Sequence, residues 1–434
     1  MTHLASPAPP LPEPVEQTMA PIGVFDWELS DPMAPVESCE RFVAVRFLVR
    51  LYGRPIAWLY LDRPGSRIPV ERLRRELDAQ LGVAVQRSIL RAHLDRSAPP
   101  APAAVATPGI SVVVCTRDRT ESLGRCLESL LAIRYPSFEV VVVDNTPSTD
   151  QTGALVAALR DASHRAHDLL RYVVEPRPGL DWARNRGVAE SRHDIVAYTD
   201  DDVRVDAGWL DAMGRAFADE EVQLVTGLVV PAELESDAQV IFEDWYGGMG
   251  KGMRPRVFRP EWSDVRARLG AHHVGVGANM ALRREWLQRL GGFDTALDVG
   301  TPSHGGGDLD IIHRTLAANG VARYEPTAMV RHYHRRQMQG LRRQLRDNGR
   351  AFGVFLLTRW RRHERPRSPV WRYAVGTWLA WMIGRIPARL RKREKLPIPL
   401  QVEEMIGLVQ SPWAWRTTYR HDRSEERRVG KECA

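Results

Sequence analysis

The middle of the chain alternates short apolar runs with amphipathic stretches. Ile110-Ser-Val-Val-Val-Cys115, Glu139-Val-Val-Val-Val143, Leu170–Val174 and Asp194–Thr199 each read as a strand. Between them, residues 120–133 place Leu123, Leu127, Leu130 and Leu131 at helical spacing, and 150–160 and 181–190 read as further helices. Val-rich strands without a polar alternation are buried on both faces. Alternation of such strands with helices predicts an α/β fold with a mostly parallel sheet flanked by helices.

The flanks have a different texture. Residues 40–62 alternate apolar and polar positions (Phe42, Val43, Val45, Phe47, Val49, then Ile56, Trp58, Tyr60, Leu61) around Tyr52-Gly53-Arg54-Pro55, which predicts a β-hairpin. A helix over 69–82, ending at Gly82, completes a small N-terminal α+β unit. The expected organisation is a disordered leader over 1–20, this unit over 21–96 and a Pro/Ala linker over 97–108. The main α/β domain follows over 109–345, then a helical C-terminal segment over 346–421. Residues 422–434 are set apart, because Arg423-Ser-Glu-Glu-Arg-Arg-Val-Gly-Lys-Glu-Cys433 resembles translated sequencing adaptor.

Charge sharpens this division. The net charge of +7 is the sum of −9 over 1–330, +16 over 331–421 and 0 over the last thirteen residues. The basic excess therefore describes one segment, which also carries Trp360, Trp371, Trp378, Trp381, Trp413 and Trp415. Aromatic anchors beside Lys/Arg clusters suit peripheral contact with an anionic membrane surface. A helical pair packed on the main domain is the other reading. Nucleic acid is not an expected partner, since no binding module accompanies the charge. Cys39, Cys115, Cys126 and Cys433 have neither metal-ligand nor disulfide-framework spacing. With no signal peptide and no apolar run of about 18 residues, the expected location is cytoplasmic, peripheral at the inner face of the plasma membrane.

The candidate chemistry sits where the apolar runs stop. Ligands of such sheets bind at the carboxyl ends of the strands. Those ends carry Thr116-Arg117-Asp118, Asp144-Asn145, Glu175 to Gly179, and Asp200-Asp201-Asp202. Three adjacent carboxylates repel one another unless a cation joins them, and carboxylate oxygens suit Mg²⁺ or Mn²⁺. A solvated acidic turn is the plainer alternative. No Gly-x-Gly-x-x-Gly follows the first strand and no Walker lysine loop exists, which counts against dinucleotide and P-loop nucleotide binding.

In order and spacing these pieces resemble family 2 glycosyltransferases of the GT-A fold, over about residues 110–345. Val143-Asp144-Asn145 resembles the strand end whose aspartate reads the nucleotide base. Gly179-Leu-Asp-Trp-Ala-Arg-Asn-Arg-Gly187 resembles the segment whose arginine lies beside the donor, and Thr199-Asp-Asp-Asp202 resembles the Asp-x-Asp motif. Gly277-Ala-Asn-Met-Ala-Leu-Arg-Arg284 with Gly291-Gly-Phe-Asp294 resembles the acceptor-side segment. Gly305-Gly-Gly-Asp308-Leu-Asp310 stands where the family has its catalytic base, although Gly307 replaces the usual acidic neighbour.

The resemblance implies an inverting, metal-dependent transfer from a nucleotide-diphosphate sugar to a hydroxyl of a saccharide or lipid-linked acceptor, as in cell-envelope glycan synthesis. Asp308 would be the base. Thr116, Arg117, Asp144, Arg184, Asp200 and Asp201 would bind the donor, and Asp202 with His332 would hold a divalent Mg or Mn ion. Absence of Gln-x-x-Arg-Trp implies a non-processive enzyme. Plainer readings make Asp308 a helix N-cap, Asp144 a loop brace, Arg184 a partner of Asp181 or Glu190, and His332 structural. Asp294 is expected to support a turn. Acceptor selection is expected within 231–276, through Trp245, Trp262, His272 and His273. A nucleotidyltransferase and a catalytically inactive saccharide-binding or scaffold module are the alternative functions.

Overall fold

The structure, a computed structural model, describes residues 19–97, 107–259, 269–362, 376 and 396–432. Among the described residues, fourteen strands precede the C-terminal helices. In chain order they are β1 (Ile22–Glu28), β2 (Val36–Glu37), β3 (Ala44–Leu51), β4 (Arg54–Asp62), β5 (Arg67–Ile68), β6 (Ile110–Thr116), β7 (Phe138–Asn145), β8 (Leu170–Glu175), β9 (Ile195–Asp200), β10 (Val203–Val205), β11 (Val222–Pro231), β12 (Arg256–Phe258), β13 (Asn279–Arg283) and β14 (Val321–His332).

The central sheet has the order β10-β14-β11-β13-β9-β6-β7-β8, with β12 paired to β14. Strands β6, β7, β8, β9, β11 and β14 share one direction, and β10, β12 and β13 oppose it. The expected mostly parallel sheet is thus present. Successive residues of a strand face opposite sides, and β6 splits accordingly. Val112 and Val114 pack with Leu123, Leu127 and Trp209 on one face. Val113 packs with Val141, Val196, Tyr198 and Ile311 on the other. Helices Thr120–Leu131, Leu180–Glu190, Trp209–Phe217 and Gly307–Ala317 cover the two faces. No helix among the described residues is long and apolar enough to cross a membrane.

The hairpin forms as expected. Leu51 pairs with Arg54 across Tyr52-Gly53, both at positive φ (51° and 73°), a two-residue turn whose twist matches the strands. Sequence reading missed β1, which pairs in parallel with β3. It also ended the helix too early. Gly82 has open space around it and lies inside a 28-residue helix, Val70–Ser97. A helix with one glycine loses only about 1 kcal/mol at that position, so Gly82 is no obligatory stop. This sheet packs on the large one through Leu48, which joins Leu228, Val230, Tyr324 and Met329. Ion pairs Arg50–Asp206 (2.7 Å) and Arg46–Asp244 (3.0 Å) fasten the same face.

The helices Met338–Arg362 and Ile398–Glu432 lie side by side with glycines at the crossing. A Cβ on Gly407 would sit 1.8 Å from the Arg346 carbonyl oxygen, and one on Gly349 2.0 Å from that of Glu404. Residues 363–375 and 377–395, with much of the basic Trp-rich stretch, lie outside the described residues.

Candidate functional site

Strand β9 delivers the acidic triplet to its carboxyl end, and the three side chains then part. Asp201 turns inward. Its Oδ2 accepts from Thr116 Oγ1 (2.8 Å), and its Oδ1 from Arg119 (2.7 Å). Asp202 Oδ2 accepts from the same guanidinium (3.2 Å), while its Oδ1 lies 3.2 Å from His332 Nε2. Pairing of β10 with β14 sets Val203 opposite His332, and Tyr333 N–H donates to the Asp202 carbonyl (3.0 Å). That register is what brings a histidine 130 residues downstream beside the turn. His332 ends β14, which is flanked there by β10 and β11.

Asp200, Asp202 and His332 present one ligand atom each within 4.8 Å of one another. Burial pushes the His332 imidazole down to about 4, so it is neutral and able to ligate. Burial and Asp202 push Asp200 up to about 7. Burial opposes ionisation of Asp202 too, but His332 and Arg119 outweigh it and hold the carboxyl below its usual range. Two carboxylates and a neutral imidazole suit a divalent first-row ion or Mg²⁺, with positions left for substrate oxygens. The residues fit a metal; Arg119 offsets part of the negative charge around it. Arg119 was missed from sequence, where only its position three residues after Thr116 pointed to it.

The donor-side candidates are only partly gathered. Arg184 is buried, donates to Asp181 Oδ1 (2.9 Å) and lies over the Phe293 ring. Asp144 is fully buried at the end of β7 and accepts from Tyr172 O–H (3.0 Å), with its Oδ1 unpartnered. Burial raises its carboxyl despite that bond. Asn145 braces the next loop, donating to the Arg177 carbonyl (2.7 Å) and accepting from Gly179 N–H (2.8 Å). Arg117 stays apart from the cluster, exposed beside Asp118. Asp294 accepts from Ala296 N–H, a turn contact.

Asp308 stands in the first turn of the helix Gly307–Ala317, where the dipole favours an anion. Its Oδ2 accepts from Gly277 N–H (2.9 Å) and its Oδ1 from Leu309 N–H (2.8 Å). Asp200, Arg184 and Asp308 all line one cavity of about 950 Å³. Its far wall contains Lys251, Arg256, His272 and His273, and its roof comes from the C-terminal helices through Gln344, Asn348, Phe352, Glu404 and Leu408. Sequence reading offered a helical pair packed on the main domain, but not its place over this cavity. Trp262, expected near the acceptor, lies outside the described residues, and Trp245 packs with Phe242, Leu341 and Leu345.

Relatives place these residues in context. A pre-mycofactocin glycosyltransferase of Mycobacterium tuberculosis is 27% identical over 291 residues, covering 67% of this chain and 55% of its own length. A glucosyl-dolichyl phosphate glucuronosyltransferase of Haloferax volcanii is 26% identical over 189 residues, covering 43% of this chain and 56% of its own. The chain thus spans about half the length of the curated relatives it matches. Among solved structures, a mannosyltransferase from Pyrobaculum calidifontis in complex with GDP-Man and Mn²⁺ is 20% identical, with a TM-score of 0.49, over 77% of this chain and 96% of that one. Glycosyl transferase family 2 is the family whose model matches, from the second residue of β6 to the glycine after the Arg284–Arg289 helix. Asp144, Arg184 and the acidic triplet fall inside that span; Asp308 and His332 follow it. Residues 111–291 of this chain are a glycosyl transferase family 2 domain.

Proposed function

We propose that the chain transfers a sugar from a nucleotide-diphosphate sugar to a hydroxyl acceptor, with inversion and one transfer per encounter. The observation that carries this reading is the opening of Asp200, Arg184 and Asp308 onto one cavity, at the carboxyl edge of the sheet. Asp200, Asp202 and His332 would hold a divalent Mg or Mn ion. Such an ion, when bound, neutralises the departing diphosphate and fixes its orientation. Arg184, which lines the cavity, would contact the donor, because guanidinium suits phosphate oxygens. Asp144, at the end of β7, would read the donor base. Asp308, held by two backbone N–H donors, takes the acceptor proton as its oxygen attacks the anomeric carbon from the face opposite the diphosphate. The relatives named for glycosyl transfer support the reaction class.

The test is nucleotide-sugar turnover by the full chain with and without Mn²⁺, across UDP- and GDP-sugars. Metal-dependent release of a nucleoside diphosphate is the expected result; release of pyrophosphate, or no binding of either nucleotide, refutes it.

We further propose peripheral membrane contact through the C-terminal segment, on the inner face of the plasma membrane. Ile398, Val402, Val409 and Trp413 are exposed at helical spacing along Ile398–Glu432, an apolar stripe that follows the basic stretch in sequence. Flotation with vesicles containing anionic lipid tests it, and failure to co-float at low salt removes it.

A further inference from the structure

Gly307 has a neighbour that explains why it carries no side chain. A Cβ there would sit 1.9 Å from Asp181 Oδ2 and 2.6 Å from its Cγ. Asp181 is 1% exposed, lines the cavity beside Asp308, and leaves that Oδ2 without a partner while Oδ1 accepts from Arg184. Asp298 fixes its backbone from behind, accepting from Leu180 and Asp181 N–H (2.6 and 2.8 Å). A buried carboxylate oxygen is not left unpaired without cost. Burial, and then Asp298, push the Asp181 carboxyl well above its usual range, which suits a group that both accepts and donates to hydroxyls. We propose that Asp181 is a second carboxyl of the reaction centre, filling the volume a side chain at position 307 would take and binding a sugar hydroxyl beside Asp308.

This inference rests on the glycosyltransferase reading, so donor hydrolysis by the unaltered chain is measured first; if it is absent, that reading fails independently of Asp181. With turnover established, Asp181→Asn is expected to lower kcat/KM by about tenfold to a hundredfold, as for loss of a buried hydrogen bond to the sugar hydroxyl. Gly307→Asp alone is expected to be poorly active, because its side chain meets Asp181. The double variant Asp181→Gly/Gly307→Asp restores the carboxyl from the other side and is expected to exceed Asp181→Gly by about tenfold or more. Unchanged turnover in Asp181→Asn overturns the proposal. So does a double variant no more active than Asp181→Gly when both bind UDP or GDP with Mn²⁺ like the parent.

A different observation concerns the far wall. The chain has four lysines, Lys251, Lys392, Lys395 and Lys431, among 61 basic Lys and Arg residues. Lys251 sits in Gly247-Gly-Met-Gly-Lys-Gly252, with Gly247, Gly248 and Gly252 at positive φ. The loop follows a π-helical turn, Ile241–Tyr246, a form enriched at functional sites. Arg256 donates to the Lys251 carbonyl (2.7 Å), and the His272 and His273 rings lie 4.0 Å apart on the same wall. Asp308 and Glu243 are the acids that act on Lys251, and Glu243 is shared with His334 and Arg46. Among the described residues no carboxylate forms an ion pair with Lys251 or Arg256. Burial lowers the Lys251 ammonium and takes His272 down to about 4.

We infer that Lys251, Arg256, His272 and His273 form a cradle for an anionic group, phosphate or carboxylate, carried by the acceptor. The acceptor is assigned because the segment that carries His272 and His273 reaches Asp308 four residues on, where Gly277 N–H donates to it (2.9 Å), and all four side chains line the same cavity as Asp308. This too rests on the transferase reading, but its test does not need turnover. Pyridoxal 5′-phosphate condenses with lysine amines, and borohydride reduction makes the adduct permanent for peptide mapping. With the full chain, Mg²⁺ and saturating UDP or GDP, Lys251 is expected to label ahead of the other three lysines. Inorganic phosphate is expected to protect it and a neutral methyl glycoside is not. Equal labelling by pyridoxal, which lacks the phosphate, overturns the cradle. Protection by nucleotide and Mg²⁺ alone overturns the acceptor assignment, because it gives the cations to the donor diphosphate.

Discussion

His332 Nε2 lies 3.2 Å from Asp202 Oδ1, and the two residues come from strands whose pairing sets their approach. This contact joins a turn that sequence reading found at once to a histidine it could only nominate. Replacing His332 with Ala removes one of three converging ligands. The Mn²⁺ concentration for half-maximal turnover should rise at least about tenfold, with a smaller change in nucleotide affinity without metal. Titration of activity and of nucleotide binding against Mn²⁺ checks this, and an unchanged metal requirement would remove His332 from the site.

Asp308→Asn keeps the shape and one of the two backbone hydrogen bonds, since its amide nitrogen cannot accept from an N–H, and it cannot take a proton. Turnover should fall by about a hundredfold to ten-thousandfold while UDP or GDP binding with Mn²⁺ stays near the parent value. The structure puts the helix cap at Gly306, so if kcat is retained Asp308 is a first-turn anion that braces Gly277 and no more.

Asp310, two residues on, has a structural task. It is fully buried, with Arg359 at 2.5 Å from one carboxylate oxygen and Arg314 at 2.5 Å from the other. Arg359, itself 1% exposed, belongs to the Met338–Arg362 helix, so this pair locks the cavity roof to the helix that carries Asp308. Asp310→Ala strands a buried guanidinium and should cost about 3–5 kcal/mol. Equilibrium denaturation in urea measures it; a loss below about 1 kcal/mol would mean that water reaches Arg359.

Gly407→Ala should have the opposite sign from the usual helix rule. A glycine replaced by alanine in a helix interior normally gains about 1 kcal/mol. Here the new methyl would press on the Arg346 carbonyl oxygen, so a loss of about 1–3 kcal/mol is expected as the two helices separate. Thermal unfolding compared with Gly82→Ala, which has open space, checks the contrast.

The central sheet was legible because its strands are buried on both faces, leaving runs such as Val140–Val143 with no polar interruption. Strand-end positions follow from that, so Asp144, Thr116 and Asp200–Asp202 could be named without a structure. Local sequence does not encode which strand lies next to which. The neighbour of Asp202 therefore depended on the β10–β14 register, and Arg119 and Asp181 escaped because each acts across space. β1 escaped for the same reason, since its parallel partner β3 lies some twenty residues on. The cavity roof was hidden behind its charge. A basic, Trp-rich segment advertises a surface, while its buried glycines and Arg359 make it part of the interior.

Gly307 and Asp181 cannot both carry a full side chain, because the two would claim the same few cubic ångströms. The positions are 126 apart in the chain, yet they behave as one alternative with two settings. Evolution can move the carboxyl from one helix to the other only through paired exchange, and either single step passes through a crowded or an empty intermediate. Relatives of this chain should therefore divide into two groups, with aspartate at the first position and glycine at the second, or a small residue at the first and an acid at the second.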